Sequence, residues 1–246
     1  MAAGKDKKID DLMDQASKAL VRTKYFEAER LCEQAMAAAR RDNDFERMAR
    51  IALPLQEARR QRFQQAIDVG KIRLIDKPVP EDVKVERGCY LVQPPQVGAD
   101  GRRLRAAALQ QEKTVAVLCR EPTTALKQIP IVAIGTGTTI RTRIEPPKNP
   151  AKPDMAWYVA AIEQLGDAAL ESLDPSLPGP RKVDALLDRL DALPEHEKLH
   201  QALAEACRAA AKDATLHDEV VAGKLAAKVA AKEAAAKSSR KTGVGT

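Results

Sequence analysis

Residues 114–144, TVAVLCREPTTALKQIPIVAIGTGTTIRTRI, decide the fold class. Val, Ile, Thr and Ala crowd into three short runs, Thr114 to Cys119, Ile129 to Ile134 and Thr138 to Ile144. Runs this short, rich in β-branched residues and separated by Pro and Gly, predict strands rather than helices. Gly135-Thr136-Gly137 joins the last two and predicts a tight hairpin. The glycines do not form a dinucleotide loop, which needs a third glycine and a helix directly after it. Just upstream, Glu86 to Gln93 holds Cys89-Tyr90-Leu91-Val92 and stops at Pro94-Pro95, a fourth strand. Gly101 to Glu112 predicts a helix turning Leu104, Ala108 and Leu109 inward. Residues 71–150 therefore read as a small α/β unit with about four strands.

Outward from this unit the period changes from two to about three and a half. On the amino-terminal side, Ile9, Leu12, Met13, Ala16 and Leu20, then Ala28, Leu31, Cys32 and Ala35, give two helices broken at Thr23-Lys24-Tyr25. Asp44 is a ready N-cap for a third helix to Ile67, with Phe45, Met48, Ile51, Leu55, Phe63 and Ile67 on its apolar side. Pro54 in its middle predicts a kink or break. On the carboxyl-terminal side, helices are expected over Met155 to Leu173, Lys182 to Leu193 and Glu195 to Lys212. An Ala/Lys-rich tail follows. The expected fold is α+β and mainly helical, divided into 1–70, 71–150, 151–215 and a basic tail over 216–246, helical or disordered.

The first helix pair resembles the tetratricopeptide repeat over about one repeat. Leu12, Ala16 and Ala19 fall where that family's first helix keeps its packing residues, and Tyr25, Ala28, Cys32 and Ala35 where its second helix packs back. Small residues at Ala16 and Ala28 let two helix backbones approach closely. The family's closing proline is replaced by Arg41-Asp42-Asn43-Asp44. The resemblance implies a tetratricopeptide-like hairpin that binds another protein, because this repeat class works chiefly through protein contacts. Gln15, Lys18, Arg22 and Arg47 are then the expected partner-binding residues. The competing reading makes the hairpin a helical cap packed on the α/β unit.

Composition narrows the class further. Of 246 residues 44% are apolar but only 3% aromatic, so the core must be built from Ala, Leu, Ile and Val. Cys32, Cys89, Cys119 and Cys207 stand far apart, which excludes a thiolate zinc knuckle or a CxxC redox pair. The start MAAGKDKK has no apolar signal segment and no run is long enough to cross a bilayer, so a cytoplasmic location and no membrane partner are expected. The formal charge is +6, and from Val220 onward Lys224, Lys228, Lys232, Lys237, Arg240 and Lys241 face only Glu233, six cations against one carboxylate, or +5. Such a tail suits sequence-blind, salt-sensitive contact with nucleic acid, without base stacking because it contains no aromatic ring. It equally suits a solvated helix.

Two constellations could carry chemistry. His196-Glu197-Lys198-Leu199-His200 resembles the HExxH motif of zinc metallopeptidases over five residues. In that family two imidazoles four apart on one helix share a Zn²⁺ while the Glu activates its water. The resemblance implies His196 and His200 as metal ligands, Glu197 as the catalytic base and Glu219 as a third ligand. Lys198 puts a cation beside the ion, and Pro194 leaves His196 near the helix start. The same residues also fit an amphipathic stripe of His196, Leu199, His200 and Leu203. Arg102, Arg103 and Arg105 sit near a helix start, either to meet an anion or as a solvated face. No Walker loop or GxSxG elbow is present. The expected function is a non-catalytic protein-interaction adaptor or scaffold, with no cofactor. A nonspecific nucleic-acid-associated protein and a zinc metallopeptidase are the two alternatives.

Overall fold

A computed structural model describes residues 2–123 and 127–215. Helices α1 (Ala2–Val21), α2 (Tyr25–Arg41) and α3 (Phe45–Ile67) come first. The middle of the chain alternates β1 (Ile72–Ile75), β2 (Gly88–Val92), α4 (Gly98–Gln110), β3 (Val115–Arg120), β4 (Ile129–Ile134) and β5 (Thr139–Ile144). Helices α5 (Met155–Glu171), α6 (Gly179–Ala192) and α7 (197–215) complete the described fold. The architecture is α+β and mainly helical. The tail and its six cations, together with Glu219, lie outside the described residues.

Local chemistry explains where the first helices end. Thr23 and Asn43 take left-handed backbone angles, φ 56° and 54°, which reverse the chain between α1 and α2 and between α2 and α3. Asp44 caps α3 by accepting from the Arg47 backbone N–H at 2.9 Å. Helix α3 runs through Pro54 as one element, without the break that was one of the two outcomes expected there. A proline inside a helix costs about 3 kcal/mol. Ile51, Ala52, Leu55 and Ala58 on either side of it are buried, and side chains of Ile and Leu size each return about 1.5–3 kcal/mol on burial. Tertiary packing thus outweighs the local defect.

The sheet runs β1-β2-β3-β4-β5, parallel from β1 to β3 and antiparallel from β3 to β5. Strand β1 is the one the sequence did not predict. Ile72-Arg73-Leu74-Ile75 is a half-buried edge strand paired to β2 alone, so its pattern is too short and too mixed to announce itself. The two-residue period sorts the side chains by face. Cys89, Leu91, Ala116, Leu118, Ile129, Ile131, Ala133 and Ile140 join one core with residues of α1–α3 and α5–α7. On the other face, Val92, Cys119 and Val132 pack together beneath α4. Gly101 permits that approach, since a Cβ there would lie 2.1 Å from the Cys119 sulfur. The main core runs without interruption from Met48 in α3 through Leu118 in β3 to Leu203 in α7.

Polar ties join the layers. The buried Tyr158 hydroxyl of α5 donates to the Tyr90 carbonyl of β2 at 3.0 Å. Arg40 of α2 holds both carboxylate oxygens of Asp184 in α6, at 2.6 and 2.7 Å. Arg105 is half-buried and donates to the carbonyls of Ala192 and Ile134, and Arg102 donates to the Thr136 hydroxyl at 2.9 Å. Both arginines therefore lock α4 to neighbouring elements rather than forming only a solvated face. Gly135 N–H donates to Thr138 O at 2.9 Å, closing the β4–β5 hairpin.

Candidate functional site

The expected partner-binding residues fall in two environments. Gln15 and Lys18 are exposed on α1, and Arg22 is exposed just beyond its end. Arg47 is committed to its own chain. Its guanidinium meets both oxygens of Asp10 at 3.1 Å and Asp44 at 2.7 Å, pinning α1 to the start of α3. The hairpin is likewise partly used internally, because α3 packs on the sheet and α2 is tied to α6 through Arg40.

A groove opens instead between α3 and α7. Ala49, Leu53 and Ala211 give it an apolar lining, with Glu46, Arg50, Arg208, Lys212 and Thr215 around them, and its volume is about 680 Å³. Leu53 is 59% exposed and shares the groove with Ala49 and Ala211, and it is this shared apolar lining, rather than one exposed leucine, that marks a contact surface. Three cations border this lining and one carboxylate, Glu46, opposes them. The signal in the sequence was a leucine standing off the Met48–Ile51–Leu55 stripe.

The histidines of the HExxH stretch do not form the peptidase arrangement among the described residues. The motif needs both imidazoles on one face of one helix, and His196 precedes the first residue of α7. Glu197 is half-buried at the start of that helix. His200 Nε2 lies 3.0 Å from the Pro194 carbonyl, an acceptor only, so Nε2 carries the proton and donates. Burial, then the positive charge of Arg59, holds the His200 pKa down at about 3. This imidazole is neutral at physiological pH and spent on the backbone.

His196 turns another way. Its side chain is fully buried, and neither ring nitrogen has a hydrogen-bond partner of normal length among the described residues. Nε2 stands 3.5 Å from a carboxylate oxygen of Glu163 and 3.5 Å from one of Asp167, both half-exposed on α5. Lys198 Nζ holds the same Asp167 oxygen at 2.7 Å. Burial lowers the His196 pKa against the opposing pull of Glu163 and Asp167. Room for the ring comes from Gly166, where a Cβ would fall 2.1 Å from His196 Cδ2. Among the described residues, Glu163, Asp167 and His196 are the ligand-bearing side chains that converge closely enough to hold an ion. The sequence signal was available: two acids four residues apart, with a glycine between them, in a mainly apolar helix.

Other reactive groups are quenched. Burial pushes the thiols of Cys32 and Cys207 up to about 12, and those of Cys89 and Cys119 up to about 11. At neutral pH they are unreactive packing residues. Glu29, 5% exposed, pairs with Arg59 at 2.8 Å and with Arg62, whose guanidinium also lies 4.1 Å from the Phe26 ring centre. This is a buried ionic tie between α2 and α3. No described helix is long and apolar enough to cross a membrane. Compared with protein-family models, curated proteins and solved structures, the chain matches none.

Proposed function

We propose that this chain is an interaction adaptor whose α3–α7 groove takes an amphipathic helix with an acidic flank. The observation that carries the reading is Leu53, left 59% exposed in an apolar groove between two helices. Helix-in-groove recognition uses this geometry: apolar anchors at helical spacing enter the groove and flanking charges set orientation. Arg50, Arg208 and Lys212 on one groove favour acidic flanks and disfavour basic ones. By that criterion the +5 segment from Val220 is a poor occupant of its own groove. The resemblance of α1–α2 to a protein-binding repeat points the same way, with the contact moved from the hairpin's surface to the outer side of α3. Gln15, Lys18 and Arg22, exposed on and just beyond α1, lie outside the lining of this groove.

The test is a fluorescence titration of the full chain with two synthetic amphipathic helices sharing Leu anchors at i, i+3, i+4 and i+7. One carries Glu on its flanks and the other Lys. The Glu peptide is expected to bind at least tenfold tighter at low salt and to lose affinity as salt rises. Leu53→Asp is expected to abolish its binding. Equal affinity for the two peptides, or indifference to Leu53→Asp, would overturn the reading. Binding that emerges only after residues 216–246 are removed would assign the groove to the chain's own tail. Dimerisation abolished by Leu53→Asp would assign it to a second copy.

A further inference from the structure

We infer that Glu163, Asp167 and His196 form a binding site for a zinc-class divalent cation, with Lys198 as the internal competitor that holds the site when the ion is absent. The separations carry the first part. Nε2 of His196 is 3.5 Å from each of the two carboxylate oxygens, beyond the usual 2.7–3.2 Å of an N–H···O hydrogen bond. A tetrahedron with bonds of about 2.0–2.2 Å has edges of about 3.3–3.6 Å, so two of the three edges already have that length, and all three ligand atoms lie within 4.8 Å of one another. Glu163 and Asp167 are 46% and 42% exposed, so the carboxylate side of the cluster is open to water.

The second part rests on burial. An imidazole that is wholly enclosed, with Nε2 facing two carboxylates only at 3.5 Å and no closer partner among the described residues, is costly unless something nearer occupies that nitrogen. Gly166 is a second mark of a built arrangement. It sits between the two acids on α5, and any larger residue would collide with the imidazole ring. The sequence thus gives up a side chain in mid-helix so that His196 can reach the pair. One nitrogen, three ligands of mixed N/O type and an open position suit zinc or a neighbouring transition ion better than magnesium or calcium, which prefer all-oxygen shells.

Lys198 sets the strength. Its ammonium on Asp167 must leave or share that oxygen when a dication binds, and the like charge at close range opposes the ion. Nδ1 of His196 has no acceptor among the described residues, so the ring lacks the outer hydrogen bond that typically adds tenfold to hundredfold in affinity. The expected site is therefore micromolar or weaker. Binding would clamp α5 to the segment that leads from α6 into α7, using residues 31 positions apart for the Asp167–Lys198 tie it replaces.

Isothermal titration of the metal-free full chain with Zn²⁺ tests this, alongside the thermal midpoint at increasing Zn²⁺. One equivalent is expected to bind, with a midpoint that climbs with ion concentration because the site exists only in the folded chain. The double variant Glu163→Gln and Asp167→Asn, both on half-exposed side chains, is expected to lose at least tenfold in affinity while keeping its circular dichroism. Lys198→Met is expected to bind several-fold tighter. Co²⁺ in place of Zn²⁺ should give the visible absorption of a four-coordinate site in the wild type and lose it in the double variant. No heat and no midpoint shift at millimolar Zn²⁺, or equal affinity in the double variant, overturns the site. Unchanged affinity in Lys198→Met overturns the competition.

Discussion

Two clusters of acids and bases sit in crevices of this protein, and they are finished differently. Between α2 and α3, Glu29 is almost fully enclosed, yet both of its oxygens meet a guanidinium, Arg59 on one and Arg62 on the other. Arg59 goes on to Glu33 at 2.9 Å, and a single nitrogen, Arg62 Nε, is left without a partner. Between α5 and the segment that leads into α7 the balance is reversed: the carboxylates are half in water, and the buried member, His196, has no hydrogen bond of normal length at either nitrogen among the described residues. Nearly complete satisfaction marks a tie whose work is holding helices together. Incomplete satisfaction of a buried base, with exposed acids around it, leaves capacity for a ligand.

The largest expected effect comes from breaking the first cluster. Glu29→Gln removes the carboxylate that Arg62, 15% exposed, meets on α2, and one of the two that hold Arg59, 11% exposed. Stranding buried charge in this way costs about 3–5 kcal/mol. Urea unfolding of the variant checks it, and a loss under 1 kcal/mol would place the cluster among weak surface pairs.

A smaller effect is expected from acid. His200 is neutral and enclosed in the fold, with a pKa near 3 set by burial, by Arg59 and by its neighbour His196, against 6.5 in the unfolded chain. The unfolded state thus binds more protons below pH 6.5, and the stabilisation present above that value drains away as pH falls toward 3. Between pH 7 and pH 5 this one residue accounts for about 2 kcal/mol. His196, lowered in the same direction by burial, adds to the trend. Urea midpoints across that range would show it. The slope should flatten in His200→Phe, and a slope unchanged by that substitution would assign the acid sensitivity elsewhere.

The smallest effect sharpens the contrast. Glu163→Gln acts on a carboxylate that is 46% exposed and whose ionic contact among the described residues is the 3.5 Å approach to His196, so its stability cost is expected to stay within about 1 kcal/mol. A loss comparable to that of Glu29→Gln would mean the second cluster is also a structural tie, and would weaken the case for an ion there.

How much of this was legible depends on the range of the forces involved. The four longer strands, the helix between them and the flanking helices follow from periodicity and from turn residues, because those signals act over a few neighbours. Strand β1 escaped because four half-buried residues on an edge leave no clear period. The break expected as one outcome at Pro54 is absent: its local penalty is visible in sequence, while the burial that offsets it is not. At the candidate site, His196 stood out through its spacing to His200, yet its neighbours in space are Glu163 and Asp167, on a different helix. Spacing along one helix could suggest the residue but not the company it keeps.

By itself, then, the sequence determined the class of the fold, the absence of a long apolar span, the concentration of positive charge from Val220 onward and the identity of the histidines worth following. Tertiary structure alone decided that Arg47 is consumed by Asp10 and Asp44, that Leu53 faces outward beside α7, and that α5 delivers two carboxylates to His196. The physical reason is separation. Turns, caps and amphipathic faces are settled among residues within a helical turn or two, whereas a groove or an ion site joins side chains whose meeting depends on how whole elements pack.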